Sequence, residues 1–237
     1  MSEQENKKKF DFAAGEVLLV DKPLGWTSFD VVNKIRYAIR PAKLKVGHAG
    51  TLDPLATGLL IVCTGKFTKK IDQYQAEEKE YTGTITLGAT TPSFDLETEI
   101  DARFDLNGVT EEVIHAAAAT FVGQIEQLPP AHSAIKQKGE RVYEKARRGE
   151  TVILAPRPVH IYQFEIVEVR LPEVTFRVRC SKGTYIRSLA HDLGQKLGCG
   201  GHLSALRRTG SGEFRVEEAW QIEELVREIK GANDENL

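Results

Sequence analysis

Short apolar runs alternate with polar, glycine-containing turns in the first part of the chain. The run GEVLLV at residues 15–20 is predicted to be a strand, and the following DKPLGWTS has the composition of a turn. Thr27 or Ser28 can then cap a helix. The residues predicted to share its buried face are Phe29, Val32, Ile35 and Ile39. A second apolar run, LLIVC at residues 59–63, is short enough for a buried strand.

The rest of the chain mixes strand and helix periodicities without a regular βαβ rhythm. Residues 81–87 (YTGTITL) alternate between two faces, as expected for a strand, and Thr110 can cap a helix over residues 111–121. Further strands are predicted over residues 151–155, 159–171 and 174–180. A last helix is predicted to end at Gly198, which suits a left-handed cap, and its apolar positions are Ile186, Leu189, Ala190, Leu193 and Leu197. These elements predict an α+β fold with a mixed sheet.

The composition is that of an ordinary globular protein. The 237 residues, 41% of them hydrophobic, are enough for one large core or two small ones. No stretch approaches the roughly 18 consecutive apolar residues that a membrane span requires, and the Lys-rich residues 1–11 lack the apolar region of a secretion signal. The three cysteines, Cys63, Cys180 and Cys199, lie far apart. We therefore expect no membrane association and a location in the reducing cytoplasm.

Charge is unevenly distributed along the chain, although the net charge is only −2. Residues 136–148 (KQKGERVYEKARR) carry six basic and two acidic side chains, whereas residues 95–112 carry seven acidic side chains and one basic one. A surface polarised in this way can bind a polyanion on one side. The alternative is that both runs are ordinary solvated faces.

The segment VGHAGTLDPLATG at residues 46–58 is the most informative one for chemistry. Its glycines permit backbone conformations that other residues avoid, and Pro54 stiffens the chain directly after Asp53. The segment is therefore predicted to be a tight loop that holds a carboxylate. For an isolated Asp-Pro pair, an Asx-turn or a helix cap is the alternative.

The same segment resembles the G-H-x-G-T-L-D-P-x-A-T-G motif of the TruB-type tRNA pseudouridine synthases. Similar segments elsewhere extend the resemblance from residue 15 to residue 220; they are LVDKPLGWTS, KEYTG, PAHSAIK, CSKGTYIRSLAHDLG and GGHLSALRRT. The resemblance implies a pseudouridine synthase fold, with a mixed, mainly antiparallel sheet flanked by helices. It also implies an enzyme that isomerises uridine to pseudouridine in the T loop of tRNA, at tRNA position 55.

The resemblance also implies how the reaction proceeds. In that family an Asp at the position of Asp53 attacks the target nucleotide, and the base detaches, turns and reattaches through carbon. Asp53 is thus implied to be the nucleophile, and Arg187 to be the cation that keeps it ionised. Tyr81 matches the tyrosine that stacks on the flipped base and helps to remove the C5 proton. Because uridine and pseudouridine are isomers, no cofactor is expected.

Four further residues match family positions around the base. His48 is implied to pack against the RNA beside the flipped base, and Lys22 to lie near the site. Tyr185 and Leu206 are implied to line the base pocket. Taken singly, each has an ordinary alternative, such as a hydrogen-bonded loop histidine, a core aromatic residue or a core leucine.

Neither a metal site nor a nucleotide-binding loop is predicted. The six histidines form no H-E-x-x-H or H-x-H pattern. Cys199 and His202 would form half of a zinc site, so we interpret both as structural. The sequence contains neither a Walker loop nor a G-x-G-x-x-G fingerprint.

The basic segment 136–148 falls where the family carries an insertion that clamps tRNA, here near residues 127–155. The side chains that we expect to contact RNA phosphates are those of Lys136, Arg141, Arg147 and Arg148. An amphipathic helix with a solvated basic face is the alternative for this segment.

The expected division of the chain also follows from the resemblance. We expect a flexible tail over residues 1–12, a catalytic domain over residues 13–220, and a short acidic, helical tail over residues 221–237. That tail stands in place of the PUA-type domain of many bacterial relatives. The expectation is therefore a monomeric, stand-alone enzyme that recognises the T-arm stem-loop of tRNA without a guide RNA or an obligate protein partner.

Two other classes of function compete with this interpretation. A non-catalytic RNA-binding protein would have no need of Asp53, Tyr81 and Arg187 together. A hydrolase of the glycosidase type requires two carboxylates, and only Asp53 lies in a convincing context.

Overall fold

The computed structural model describes residues 10–39, 44–130, 136–137, 140–141 and 155–234. The strands in these residues are β1 (Val17–Lys22), β2 (Val46–His48), β3 (Ala56–Thr64), β4 (Lys79–Leu87), β5 (Ala89–Thr90), β6 (Ala102–Arg103), β7 (Gly123–Gln127), β8 (Lys136–Gln137), β9 (Glu140–Arg141), β10 (Arg157–Arg170), β11 (Glu173–Cys180), β12 (Gly201–Ser211), β13 (Phe214–Arg215) and β14 (Trp220–Gln221). The α-helices are α1 (Ser28–Ala38), α2 (Ile71–Ala76), α3 (Glu111–Ala119), α4 (Ile186–Lys196) and α5 (Ile222–Asp234). Short 3-10 helices cover Gly65–Lys70 and Val216–Glu218.

The chain forms two compact units. The first combines the chain up to Glu77 with the chain from Arg207 onward, and the second comprises the residues between them, from Glu78 to Leu206. Strand β12 crosses this boundary, with its N-terminal half in the second unit and its C-terminal half in the first.

In the first unit, the strand order is β14-β1-β3 followed by the C-terminal half of β12. Strand β2 pairs with β3, and β13 pairs with β12. Strand β1 is parallel to β14 and antiparallel to β3. The predicted strands at residues 15–20 and 59–63 are therefore confirmed as β1 and β3. Helices α1 and α5 pack their apolar faces with alternate residues of β1 in a common hydrophobic cluster, whose members include Leu18, Val20, Val32, Ile35, Leu225 and Ile229.

The N-terminus of α1 is confirmed, but its predicted buried face is partly wrong. Thr27 forms a capping box with Asp30, which satisfies backbone N–H groups in the first turn. Phe29, predicted to be buried, is 58% exposed. The buried face is centred on Ile35, and Phe29 lies six residues earlier, which rotates it by about 120° from that centre. The helix buries Val31, Val32, Ile35 and Ala38.

In the second unit, the N-terminal half of β12 is followed by β4, β11, β10 and β7. The pairings of β4 with β11, β11 with β10 and β10 with β7 are antiparallel. The predicted strands at 81–87, 159–171 and 174–180 and the predicted helices at 111–121 and 186–197 are confirmed. Gly198 ends the last helix with a φ of +73°, as expected for its cap. Strand β1 is parallel to β14, whereas the other pairings described above are antiparallel, so the predicted α+β class and mainly antiparallel sheet are confirmed.

Several sequence-based expectations concern the ends of the chain and the basic segment. Phe12, which we placed in the flexible tail, is buried in the first unit and stacks on Phe10. The segment from residue 222 to 234, expected to be a helical tail, is α5 and contributes to the same core. The described part of the basic segment is an antiparallel hairpin that pairs Lys136 with Arg141. The predicted strand at 151–155 lies, apart from its last residue, outside the described residues, and so do Arg147 and Arg148.

Among the residues that the structure describes, no helix has the length and apolar character needed to cross a membrane.

Candidate active site

Asp53 lies on a loop between β2 and β3 that is fixed by hydrogen bonds on both sides. The Ser28 hydroxyl, at the start of α1, accepts from the Leu52 N–H at 2.9 Å and donates to the Leu52 carbonyl at 3.2 Å. Beyond Asp53, the Gly25 N–H donates to the Pro54 carbonyl at 2.8 Å. The helix-cap alternative for Asp53 is wrong, because a strand and not a helix follows it. The loop therefore holds a half-buried carboxylate in a defined place.

Arg208, a residue that sequence reasoning missed, supports this loop from β12. Its buried guanidinium donates from Nε to the Leu59 carbonyl at 2.7 Å and from Nη2 to the Gly50 carbonyl at 3.2 Å. Gly58 has a φ of +100°, and a Cβ at this position would lie 2.3 Å from the Arg208 carbonyl oxygen. Only glycine therefore allows β3 to approach β12 so closely at this point.

Lys22 and His48 both lie near the positive charge of Arg208, and Lys22 also lies near the charge of Asp53. The Lys22 side chain is buried, and its Nζ donates to the Pro23 carbonyl at 3.0 Å and to the Trp26 carbonyl at 2.6 Å. Burial lowers the pKa of the Lys22 ammonium to about 8, against the opposing effect of the Asp53 carboxylate. Burial also lowers the pKa of His48, and the positive charge of Arg208 lowers it further. In the first unit, the charges of Asp53 and Arg208 thus act on Lys22, and the charge of Arg208 acts on His48.

The remaining candidates belong to the second unit. Tyr81 lies on β4 opposite Val178 of β11 and is half-buried. Both Tyr81 and Leu206 pack against the hydrophobic cluster of this unit, so the structure places the two against one common core.

Tyr185 lies directly before α4 and is fixed through its backbone. The buried Gln127 side chain accepts from the Tyr185 N–H at 2.8 Å and donates to the Tyr185 carbonyl at 2.9 Å. The Arg157 guanidinium lies over the Tyr185 ring, 4.6 Å from its centroid, and donates to the Gly183 carbonyl at 2.7 Å. Sequence reasoning found neither Gln127 nor Arg157, since both are separated from Tyr185 by a long stretch of chain.

Arg187, on the first turn of α4, is buried and has partners on the loop that follows β5. Its Nη1 lies 3.5 Å from Asp95 Oδ2 and 3.4 Å from the Ser93 carbonyl, to which it donates. In the sequence, Asp95 belongs to an acidic run, and no local pattern indicates that it pairs with Arg187. Between these two contacts, Phe94 has a φ of +65°, a conformation that costs a non-glycine residue roughly 1–2 kcal/mol.

The residues that we interpreted as structural have structural contacts. The buried His202 ring places Nδ1 3.1 Å from the Ala89 carbonyl, and Cys199 Sγ donates to the Gly200 carbonyl at 3.5 Å. Burial raises the pKa of the Cys180 thiol to about 12 and that of the Cys63 thiol to about 11. In the described part of the chain, no three His, Cys, Asp or Glu side chains are grouped so as to hold a metal ion.

A solved structure, together with the family match given in the next paragraph, assigns the fold to the class of the pseudouridine synthases. The chain superposes on the crystal structure of a Cbf5-Nop10-Gar1 complex with a TM-score of 0.72 and 32% sequence identity. The match covers 95% of this chain and 57% of that chain, so this chain spans little more than half of it. The pseudouridine synthase fold expected from the sequence is thereby confirmed.

The chain belongs to the TruB family of pseudouridylate synthases. Residues 36–186 match the TruB family pseudouridylate synthase N-terminal domain, and residues 187–237 match the tRNA pseudouridylate synthase B C-terminal domain. The tRNA pseudouridine synthase B of Flavobacterium johnsoniae is 54% identical over 90% of this chain and 95% of its own length. That of Phocaeicola vulgatus is also 54% identical, over 90% of this chain and 92% of its own length. The chain is thus an enzyme of the isomerase class.

Proposed function

We propose that this enzyme converts a uridine of the tRNA T loop, at tRNA position 55, to pseudouridine, with Asp53 as the nucleophile. The observation that supports this most directly is the fixed Asp53 loop. Its backbone is held by Ser28 and Arg208, and its sequence matches the family motif. Relatives similar to this chain over most of their length are named tRNA pseudouridine synthase B, which supports tRNA as the substrate.

The proposed chemistry needs only a carboxylate and a base that has left its stack. Asp53 forms a covalent bond to the nucleotide, the bond between N1 of the uracil and C1′ of the ribose breaks, and the base turns. A bond between C5 and C1′ then forms as the bond to Asp53 breaks, the C5 proton leaves, and N1 takes up a proton from solvent. Every atom of the uridine remains in the product apart from exchange of that proton with solvent, so the reaction requires no oxidant, reductant or group donor.

The other candidate residues have distinct proposed roles. A protonated Lys22 favours the ionised form of Asp53 by charge, and His48, at the end of β2, packs against the RNA beside the flipped base. Tyr81 stacks on the base and assists removal of the C5 proton, while Tyr185 and Leu206 line the base pocket. Arg187 serves as the catalytic cation. These assignments rest on the motif resemblance, together with the contacts described above for Lys22, Tyr185 and Arg187.

We further propose that the enzyme acts in the cytoplasm as a single chain that recognises the T-arm without a guide RNA. Phosphate contacts from the basic segment, through Lys136, Arg141, Arg147 and Arg148, would make RNA affinity depend on salt. Neutralising Arg147 and Arg148 together is expected to flatten that dependence while changing the chemical step less. An unchanged salt dependence of tRNA affinity would contradict the proposed contact.

The nucleophile is tested by Asp53→Asn, which removes the charge and nearly preserves the shape. The assay follows tritium release from tRNA labelled at C5 of uridine, under single-turnover conditions, and tRNA affinity is measured separately. We expect Asp53→Asn to release no tritium and to bind tRNA with near wild-type affinity. Asp72→Asn, which alters an exposed carboxylate on α2 of the same unit, is the matched control and should react like the wild type. Wild-type turnover by Asp53→Asn would refute the assignment.

A further inference from the structure

The loop over residues 91–98 provides two oxygen atoms that contact Arg187. They belong to Ser93 and Asp95, the two residues next to Phe94 in the chain. Arg187 Nη1 donates to the Ser93 carbonyl at 3.4 Å and lies 3.5 Å from Asp95 Oδ2. The residue between them is Phe94, the only non-glycine residue with a positive φ among those the structure describes. The left-handed conformation of Phe94 reverses the chain, and both oxygen atoms therefore face the same nitrogen.

Hydrogen bonds hold the loop in this shape. The Thr91 hydroxyl donates to the Asp95 carbonyl at 2.6 Å, and the Asp95 carboxylate accepts from the Glu97 N–H at 2.9 Å. The Phe94 carbonyl accepts from the Leu203 N–H on β12 at 2.9 Å. Thr91 and Asp95 are buried, so these bonds are shielded from competition by water.

The side chain of Phe94 attaches the loop to the same helix that carries Arg187. Its ring stacks on the His191 ring, with the centroids 3.9 Å apart and the planes inclined by 16°. His191 follows Arg187 by four residues on α4, so both side chains project from the same face on successive turns. The loop therefore contacts the helix at two points, through polar atoms at Arg187 and through a ring stack at His191.

The surroundings of His191 indicate that its ring serves as an apolar surface. Its Nδ1 is buried and has no hydrogen-bond partner among the described residues. Burial lowers the pKa of His191, although the charge of Asp101 acts in the opposite direction. The lowered pKa favours the neutral form of the ring. A neutral ring with a buried, unused nitrogen contributes to this loop by stacking.

We propose that Phe94 and His191 are positioning residues for catalysis. Their stacked rings hold the strained turn at Phe94, and this turn keeps the Ser93 carbonyl and the Asp95 carboxylate in contact with Arg187. The two contacts fix the direction of the Arg187 guanidinium. The inference rests on the proposed catalytic role of Arg187. Strained backbone persists where surrounding contacts determine it, and such sites often lie at functional residues. The Phe94 ring supplies such a contact, since the stack joins the strained residue to α4.

The test compares variants that remove the stack with one that keeps it. Phe94→Gly adopts the positive φ without strain but lacks the ring, and His191→Ala removes the opposite ring. His191→Phe preserves two stacked rings and loses no hydrogen bond at Nδ1. Phe121→Leu, which alters another aromatic pair of the same unit, is the control for a general loss of stability. Single-turnover tritium release, tRNA affinity and the thermal midpoint are measured for each.

We expect Phe94→Gly and His191→Ala to lower the single-turnover rate constant by about 10-fold or more without changing tRNA affinity, because a misdirected catalytic group affects mainly the chemical step. His191→Phe should stay within about 2-fold of the wild type, as should Phe121→Leu, whatever its thermal midpoint. In an Arg187→Lys background, Phe94→Gly should slow the reaction by less than about 2-fold, since both changes act through one group.

The outcomes separate this inference from the function on which it rests. A slow Arg187→Lys variant beside wild-type rates for Phe94→Gly and His191→Ala would overturn the positioning role alone. A wild-type rate for Arg187→Lys would overturn the catalytic role of Arg187 and the positioning role with it. If Phe94→Gly does not fold, the comparison of His191→Ala with His191→Phe decides: equal rates for the two would overturn the inference.

Discussion

At the residue scale, Arg208 shows how a buried cation can organise a loop through its backbone carbonyls. Its guanidinium donates to two backbone carbonyls, those of Gly50 and Leu59, which lie on either side of Asp53 in the chain. A planar fork reaches both oxygen atoms at once, and a single ammonium group cannot. The position of the Asp53 loop therefore depends on the shape of this side chain as well as on its charge.

Replacement of Arg208 by Lys is expected to loosen the Asp53 loop. At least one buried carbonyl would lose its donor, which should lower the free energy of unfolding by about 1–3 kcal/mol and slow the chemical step by about 10-fold. Urea unfolding and single-turnover rates measure both effects. The control is Arg215→Lys, where an exposed arginine also donates to two carbonyls. Equal behaviour of the two variants would show that Arg208 does not anchor the loop.

Lys22 makes stability depend on pH in the alkaline range. Its pKa falls from 10.5 in the unfolded chain to about 8 in the folded one, so the unfolded chain binds more protons between these values. The contribution of this group to the free energy of unfolding therefore rises with pH across that window. Between pH 7 and pH 10, the wild type should gain on the order of 1–3 kcal/mol relative to Lys22→Met.

Urea unfolding at several pH values between 7 and 10 tests the Lys22 effect. Lys34→Met serves as the control, because Lys34 is a partly exposed lysine of the same unit. The difference between the wild type and Lys34→Met should stay constant over this range. A constant difference between the wild type and Lys22→Met as well would contradict the assigned pKa.

At the scale of elements, the first turn of α1 has two neighbouring hydroxyls with different functions. Thr27 caps the helix, whereas Ser28 bonds to the backbone of Leu52 and so holds the Asp53 loop. We expect Thr27→Ala and Ser28→Ala each to lower the free energy of unfolding by about 1 kcal/mol. Only Ser28→Ala should also reduce the single-turnover rate. Equal rates for the two variants would mean that the loop keeps its position without Ser28.

The elements also show where prediction from sequence succeeds and where it fails. The sequence predicts strands β4, β10 and β11 from alternating apolar and polar residues or from apolar runs. The buried positions of β11 alternate throughout, whereas those of β10 are interrupted by two register shifts. Strand β12 was missed, because it begins with glycine and buries Arg208, a charged residue that disrupts any apolar pattern. The burial of that charge is possible only through carbonyls on another part of the chain, which no local pattern reveals.

Some features of the candidate site are also predictable from the sequence, and others are not. The Asp53 loop was predicted from a contiguous motif, and its local neighbours Lys22 and His48 followed from adjacent motifs. The contact of Arg187 with Asp95 joins residues far apart in the chain, and Asp95 lies in an acidic run that resembles an ordinary solvated surface. Single-sequence patterns describe local periodicity, so pairs formed only by folding remain invisible to them.

At the scale of the whole molecule, the first unit is built from both ends of the chain. Helix α5 contributes Leu225 and Ile229, both fully buried, to the core that also contains Leu18 and Val32. Although its sequence is acidic and was expected to form a tail, the helix is part of the hydrophobic core of this unit.

Shortening Leu225 is therefore expected to be costly. Leu225→Ala should lower the free energy of unfolding by about 2–5 kcal/mol, because it opens a cavity in a fully packed core. A chain that stops after Gln221 should fail to unfold cooperatively. Thermal and urea unfolding test both, with Leu128→Ala, an exposed leucine of the second unit, as the control. A truncated chain as stable as the wild type would show that α5 is dispensable.

The order of these segments along the chain has a consequence for synthesis on the ribosome. Asp53 is made early, but Arg208, which anchors its loop, follows only after the roughly 130 residues of the second unit. At a synthesis rate of roughly 5–20 residues per second, these residues take about 6 to 26 s. During that interval the second unit can fold as a unit, while the nascent first unit lacks part of its sheet and its last helix. A growing chain can thus meet RNA well before its carboxylate is held in a working position, and activity begins only near the end of translation.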